Sequence, residues 1–192
     1  MKLVFATGNI GKLREASEIL GEGFELVSLE QVGITEDIPE TAMTLHENAL
    51  QKARYVYDKC GCACFADDTG LEVEALKGEP GVFSARYAGP QKDSSANMQL
   101  VLQKMKGESK RQACFRTVIA YIDSTGKEWL FEGRVDGTII EHPTGSKGFG
   151  YDPIFTLNGY EQTFAELPLS IKNAIGHRGK AMQKFLDFLN KV

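Results

Sequence analysis

The stretch from Lys2 to Lys12, KLVFATGNIGK, constrains this chain more than any other, because an apolar run stops there at small residues and a helical pattern follows at once. Leu3 to Ala6 have the length and composition of a buried strand, and Leu13, Ala16, Ile19 and Leu20 recur at helical spacing. Between them lies Thr7-Gly8-Asn9-Ile10-Gly11-Lys12. Its glycines allow close backbone approach, Thr7 and Asn9 bring polar side chains, the helix start presents unpaired N–H groups, and Lys12 adds positive charge. A phosphate suits such a loop. A plain turn uses the same residues, and the match is to neither well-known nucleotide motif. Leu13, not Ser or Thr, follows Lys12, and the glycine spacing is not that of the dinucleotide fingerprint. Phosphate chemistry therefore needs support from elsewhere in the chain.

With 192 residues the chain can bury a real core, so we expect one domain over 1–192, with room for two lobes. A net charge of −4 argues against a nucleic-acid coat or a polybasic membrane binder, although a local basic pocket survives that argument. No apolar run reaches membrane-spanning length and the N-terminus reads as a strand, which leads us to expect a soluble, cytoplasmic protein. Cys60, Cys62 and Cys64 alternate within an expected strand, with Cys114 far off. That spacing fits buried thiols better than a zinc cluster.

Along the chain, Phe24 to Leu29 read as a second strand, and residues 32–43 form an acidic loop holding Glu36, Asp37 and Glu40. Thr44 and Glu47 make a capping box for a helix reaching about Tyr57. Cys62 to Ala66 read as a strand ending at Asp67-Asp68-Thr69-Gly70, where two carboxylates meet an expected chain reversal before Leu71 to Leu76. A turn at Gly78 to Gly81 leads into Val82 to Tyr87, and Asp93 or Ser94 caps a helix to about Lys106. Ala113 to Ile122 and Glu128 to Val135 flank a hairpin connection at residues 123–127. HPTGSKGFGYDP, residues 142–153, is too rich in glycine, proline and aromatics for mere linkage. Ser170 is expected to cap a short helical turn, and Arg178 to Leu189 form a last amphipathic helix. The pattern predicts an α/β protein with a mixed sheet and helices packed around it.

Three segments share a character: the loop with Lys12, the aromatic loop Phe149-Gly150-Tyr151-Asp152, and the cationic stretch with Lys172, His177 and Arg178. A nucleoside triphosphate needs cations and N–H groups for phosphates, a flat apolar face for its base, and carboxylates to hold magnesium. Taken together, six collinear stretches resemble the non-canonical purine nucleoside triphosphate pyrophosphatases, the inosine triphosphate pyrophosphatase family. They are Thr7 to Lys12, Glu47-Asn48-Ala49, Ala66 to Leu71, Pro80-Gly81 with Ser84 to Tyr87, Gly148 to Pro153, and His177-Arg178-Gly179. They span nearly the whole chain.

That resemblance implies an elongated mixed β-sheet flanked by helices, with two lobes around a central nucleotide cleft, in a homodimer. It implies hydrolysis of ITP, dITP or XTP to monophosphate and pyrophosphate with Mg2+; the net charge of −4 separately leads us to expect no nucleic-acid and no membrane partner. Thr7, Gly8, Asn9, Ile10, Gly11 and Lys12 would hold the phosphates, as would Lys172. Asp68 would be proton acceptor and metal ligand, with Glu40 as second ligand, and Thr69 would bind substrate; Glu36 or Asp37 are alternatives to Glu40 in the same loop. Phe149, Gly150, Tyr151 and Asp152, with His177 and Arg178, would hold the nucleoside. Gly176 departs from the serine expected before the His-Arg pair. Rival readings are a pyrophosphatase for modified pyrimidine or methylated nucleotides, and a nucleotide-binding regulator without turnover.

Overall fold

The structure is a computed structural model and describes residues 2–191. Six strands form one mixed sheet: β1 (Lys2–Phe5), β2 (Glu25–Val27), β3 (Cys64–Val73), β4 (Gln112–Ile122), β5 (Glu128–Ile139) and β6 (Phe155–Leu157), in the order β2-β1-β3-β4-β5-β6. β1 runs parallel to β2 and β3, whereas β5 and β6 are antiparallel. Helices α1 (Ile10–Leu20), α2 (Leu45–Cys60), α3 (Ser94–Lys104), α4 (Leu169–Ile175) and α5 (His177–Leu189) flank it. The parallel half follows from sequence order, since each parallel connection must travel back along the sheet and here does so through a helix.

The chain divides into two compact units: residues 1–68, 117–133 and 178–192, and residues 69–116 and 134–177. In the first, α1 and α5 bury Ala16, Leu20, Ala181, Met182 and Phe185 against Leu3, Phe5, Phe65, Ile119 and Tyr121. Phe5 stacks on Phe65 at 4.3 Å. Rings buried to this degree each contribute roughly 1.5–3 kcal/mol. In the second, Leu71, Val73, Val101, Met105, Phe115, Val135, Ile139 and Phe155 form a separate core.

Several expectations hold at their residues. Thr44 caps α2, its hydroxyl oxygen accepting from the Glu47 N–H at 3.1 Å, and Asp93 caps α3 by accepting from Ala96. Asp123 closes the connection between β4 and β5, its side chain accepting from the N–H groups of Thr125 and Lys127.

Others are corrected. Asp67 to Gly70 make no chain reversal but lie within β3, which continues to Val73. The glycine there serves close approach: a Cβ at Gly70 would sit 2.6 Å from the Gly81 carbonyl oxygen. Gly81–Arg86 form a 3-10 helix. Helix α4 begins at Leu169 behind Pro168, so Ser170 lies inside it and caps nothing. Cys60 ends α2 and is paired with Cys62 in a disulfide, so these two are neither thiols nor strand residues. Cys64 and Cys114 are the buried free thiols, and burial pushes them up to about 12 and about 11.

Candidate functional site

In the first unit the loop after β1 is tied down at both ends. Ala6 donates to Phe65 O at 2.8 Å, and the Asn9 side chain caps α1 by accepting from the Lys12 N–H at 3.1 Å. Thr7 Oγ1 accepts from the Asn9 N–H, so both polar side chains of the loop shape its backbone. The position a Cβ would take at Gly8 opens onto empty space, and the Ile10 side chain is exposed. What this loop offers an anion is therefore the start of α1 at Ile10 and Gly11, with its positive dipole end, while Lys12, whose N–H the Asn9 cap already takes, adds its ammonium.

Lys12 leads from this loop to the carboxylates. Its ammonium lies 3.0 Å from Asp67 Oδ1, while Arg178 Nε donates to Asp67 Oδ2 at 3.2 Å. Arg178 also pairs with Glu15. All four side chains are largely buried. Burial alone would push Asp67 up, but Lys12, Arg178 and Lys52 hold it well below the usual carboxylate range. Asp67 is thus a fixed negative charge that organises cations.

Asp68 differs in kind. Successive strand residues face opposite ways, so it meets another set of groups. Lys52 Nζ lies 3.2 Å from Asp68 Oδ1 and 2.5 Å from Glu40 Oε1. The second oxygen, Oδ2, is buried and makes no hydrogen bond. Burial raises Asp68 above the usual carboxylate value, with Lys52 and Lys12 opposing the shift and Glu40 and Asp67 adding to it. A buried carboxylate with one unclaimed oxygen and a raised affinity for protons is suited to accepting one from water. Lys52, raised in turn by its acidic neighbours despite its burial, stays charged.

The structure thus brings Glu40 to Asp68 through Lys52. Glu36, by contrast, accepts solvent-exposed hydrogen bonds from Tyr55 and Lys59, further along α2. Lys52 and Glu15 escaped the sequence reading. The signal for Lys52 was a cation at 52 within the buried series Leu45, Ala49, Ala53 and Val56, where helical spacing calls for an apolar residue.

In the second unit Lys172 Nζ donates to Asp152 Oδ2 at 2.6 Å and lies 4.8 Å over the Phe149 ring. Asp152 Oδ2 also accepts from the Phe149 N–H at 2.9 Å. Gly148, at φ +74°, has no room for a Cβ beside that carboxylate. Tyr151 is buried and its hydroxyl donates to Ser84 O at 2.7 Å, which anchors the segment. His177 stacks on Phe115 at 4.5 Å. A Cβ at Gly176 would lie 2.5 Å from Lys172 O, so serine at that position would require the backbone to shift. Thr69 is half-buried in β3.

Residues 3–188 match the model of the Ham1 family. The chain belongs to that family. A dITP/XTP pyrophosphatase of Flavobacterium johnsoniae is 53% identical over 189 residues, covering 98% of both chains. One from Christiangramia forsetii is 50% identical over 191 residues, with both chains fully covered. Among solved structures, a HAM1 protein from Coxiella burnetii superposes with a TM-score of 0.91 at 36% identity, covering 100% of each chain. The Staphylococcus aureus Ham1 protein gives 0.90 at 34%, covering 100% of this chain and 99% of that one. This Ham1 chain therefore shares its fold with these solved structures across nearly all of its residues.

The resemblance implies a divalent cation, and the donor set of the first unit fits one. Asp68 and Glu40 supply hard oxygens that converge on a single ammonium, and Asp68 Oδ2 is a buried acceptor with no partner. Among the described residues no cluster of three or more His, Cys, Asp or Glu gathers to cage a metal. Magnesium needs none, since it keeps several waters and takes one or two carboxylates together with substrate phosphates.

Proposed function

We propose that this Ham1 protein hydrolyses the non-canonical purine nucleotides ITP, dITP and XTP to the nucleoside monophosphate and pyrophosphate, clearing them from the nucleotide pool. Relatives named dITP/XTP pyrophosphatases, matched over 98% or more of both chains, support the substrate class. The observation that carries the chemistry is the Asp68 carboxylate, with its unpartnered Oδ2, in the same unit as Lys12 and Lys52. Asp68 is the proton acceptor: it takes the proton of the water that attacks the α-phosphorus, and the bond to the pyrophosphate oxygen breaks. Lys12, Lys52 and the start of α1 neutralise charge on the phosphates, which is where phosphoryl-transfer enzymes gain most of their rate. Asp68 and Glu40 would hold Mg2+, which when bound supplies Lewis-acid polarisation of the phosphate oxygens.

Phe149 offers a flat face for the base, and Asp152, Lys172 and His177 polar groups for the nucleoside; Lys172 also offers its charge to a phosphate. Arg178 and backbone N–H groups donate, so a 6-oxo purine satisfies them and a 6-amino purine does not. Mismatches of that kind discriminate by about 10⁴-fold or more. The assembly is a homodimer and the setting cytoplasmic, with neither nucleic acid nor membrane as partner; among the described residues no helix is long and apolar enough to cross a bilayer. Light scattering at working concentration tests the dimer.

Incubation of the protein with ITP, dITP, XTP and ATP plus magnesium, with pyrophosphate resolved from phosphate, tests the reaction. Pyrophosphate from the first three and little turnover of ATP is expected, and chelation should abolish it. Orthophosphate as product, equal kcat/KM for ATP and ITP, or full turnover in excess chelator overturns the reading.

A further inference from the structure

Glu40 sits in a segment, residues 33–44, that has no regular secondary structure of its own. Its backbone must be held by something else, and one face of α2 does so. Asn48 Oδ1 accepts from the Ala42 N–H at 2.9 Å. Gln51 makes a two-way pair with Thr41: its Oε1 accepts from the Thr41 N–H at 3.0 Å and its Nε2 donates to Thr41 Oγ1 at 2.9 Å. Lys52 reaches Glu40 itself, and Tyr55 with Lys59 holds Glu36. Positions 48, 51, 52, 55 and 59 recur at helical spacing, so a single face of α2 grips the segment from Glu36 to Ala42.

Asn48 is informative because half of its amide is placed at a cost. It is 1% exposed, and because Oδ1 must face the Ala42 donor, the amide Nδ2 is left buried without a hydrogen bond. An apolar side chain would avoid that cost. Asn48 does instead what an apolar residue cannot, fixing the backbone two residues beyond Glu40.

We propose that Asn48 and Gln51 are positioning residues that set the protein's affinity for its divalent cation by fixing where Glu40 lies relative to Asp68. The inference rests on the reading of Glu40 and Asp68 as the cation's ligands. Groups that orient metal ligands in this way typically change metal affinity by about 10- to 100-fold when removed.

Calorimetric titration of the protein with magnesium, without nucleotide, tests it. Gln51 is half-buried, so Gln51→Ala leaves the fold intact, whereas Asn48→Ala carries the risk of a destabilised fold and is read only beside its melting temperature. Gln51→Ala should weaken magnesium about tenfold, with kcat at saturating magnesium little changed and Tm within about 2 °C of wild type. Gln51→Glu should restore the affinity, since its carboxylate accepts from both the N–H and the hydroxyl of Thr41. Glu40→Gln, measured alongside, separates two kinds of failure. If it too binds magnesium as wild type does, the ligand reading falls and the positioning role with it. If it loses magnesium while Gln51→Ala does not, or if Gln51→Glu fails to rescue, only the positioning role is overturned.

Discussion

Replacing Asp67 by asparagine removes a negative charge that Lys12 and Arg178 both border inside the first unit. Two buried cations would lose their shared counter-ion, and breaking such a pair costs about 3–5 kcal/mol. We expect Asp67→Asn to lower Tm by several degrees. Asp68→Asn should behave in the opposite way. Its fold should survive, because burial already disfavours the charge at that position, but loss of the proton acceptor costs about 10²- to 10⁴-fold in kcat. Turnover of ITP at saturating magnesium, beside thermal melts of both variants, distinguishes them. A further expectation concerns acid. Folding holds Asp67 below its ordinary value, so the unfolded chain binds that proton more readily once the pH falls below about 4. The stability Asp67 contributes is fully present above that pH and is lost as pH falls towards the folded value. Wild type should therefore lose stability more steeply than Asp67→Asn between about pH 4 and pH 2, and parallel curves in urea unfolding would refute the assignment.

At the scale of elements, much of the chemistry decided by neighbours in sequence was legible, but not the start of α4 behind Pro168 or the pairing of Cys60 with Cys62. The strand, loop and helix of residues 2–20 and the caps at Thr44 and Asp93 stand where propensity and spacing put them. Asp67-Asp68-Thr69-Gly70 misled because a glycine after polar residues usually marks a turn, whereas this glycine admits the distant Gly81 carbonyl, a contact no local pattern records. Lys52 was overlooked for a similar reason, since its partners Glu40 and Asp68 come from other elements. The resemblance named Asp68 and Glu40, yet it was silent on the ammonium that joins them. Gly70→Ala tests the close approach. A Cβ meeting backbone has little room to relax, so we expect a loss of about 1–3 kcal/mol by urea unfolding. A neutral result would mean that β3 and the segment from Gly81 move apart easily.

At the scale of the whole molecule, the division into two units raises the question of whether they unfold separately. The chain passes between them four times, at 68/69, 116/117, 133/134 and 177/178. Three of those passages fall inside β3, β4 and β5 and the fourth between the first two residues of α5, so no flexible linker separates the cores. A strand that donates side chains to two cores cannot fray through one and remain anchored in the other without breaking its own pairing. We therefore expect a single cooperative transition, as for one domain. The sole tryptophan makes the test direct. Trp129 packs in the first unit beside Tyr121 and Phe188, and its fluorescence reports that core alone. Far-UV circular dichroism reports both units, and hydrogen exchange at the Ile139 and Phe164 amides, bonded to Arg111 O and Phe155 O, reports the second. Coincident urea midpoints by fluorescence and dichroism, with similar exchange protection in the two cores, fit one cooperative domain. A fluorescence midpoint shifted from the dichroism midpoint, or a protease-resistant fragment that keeps one core folded, would mean that the two units are independent despite their shared strands.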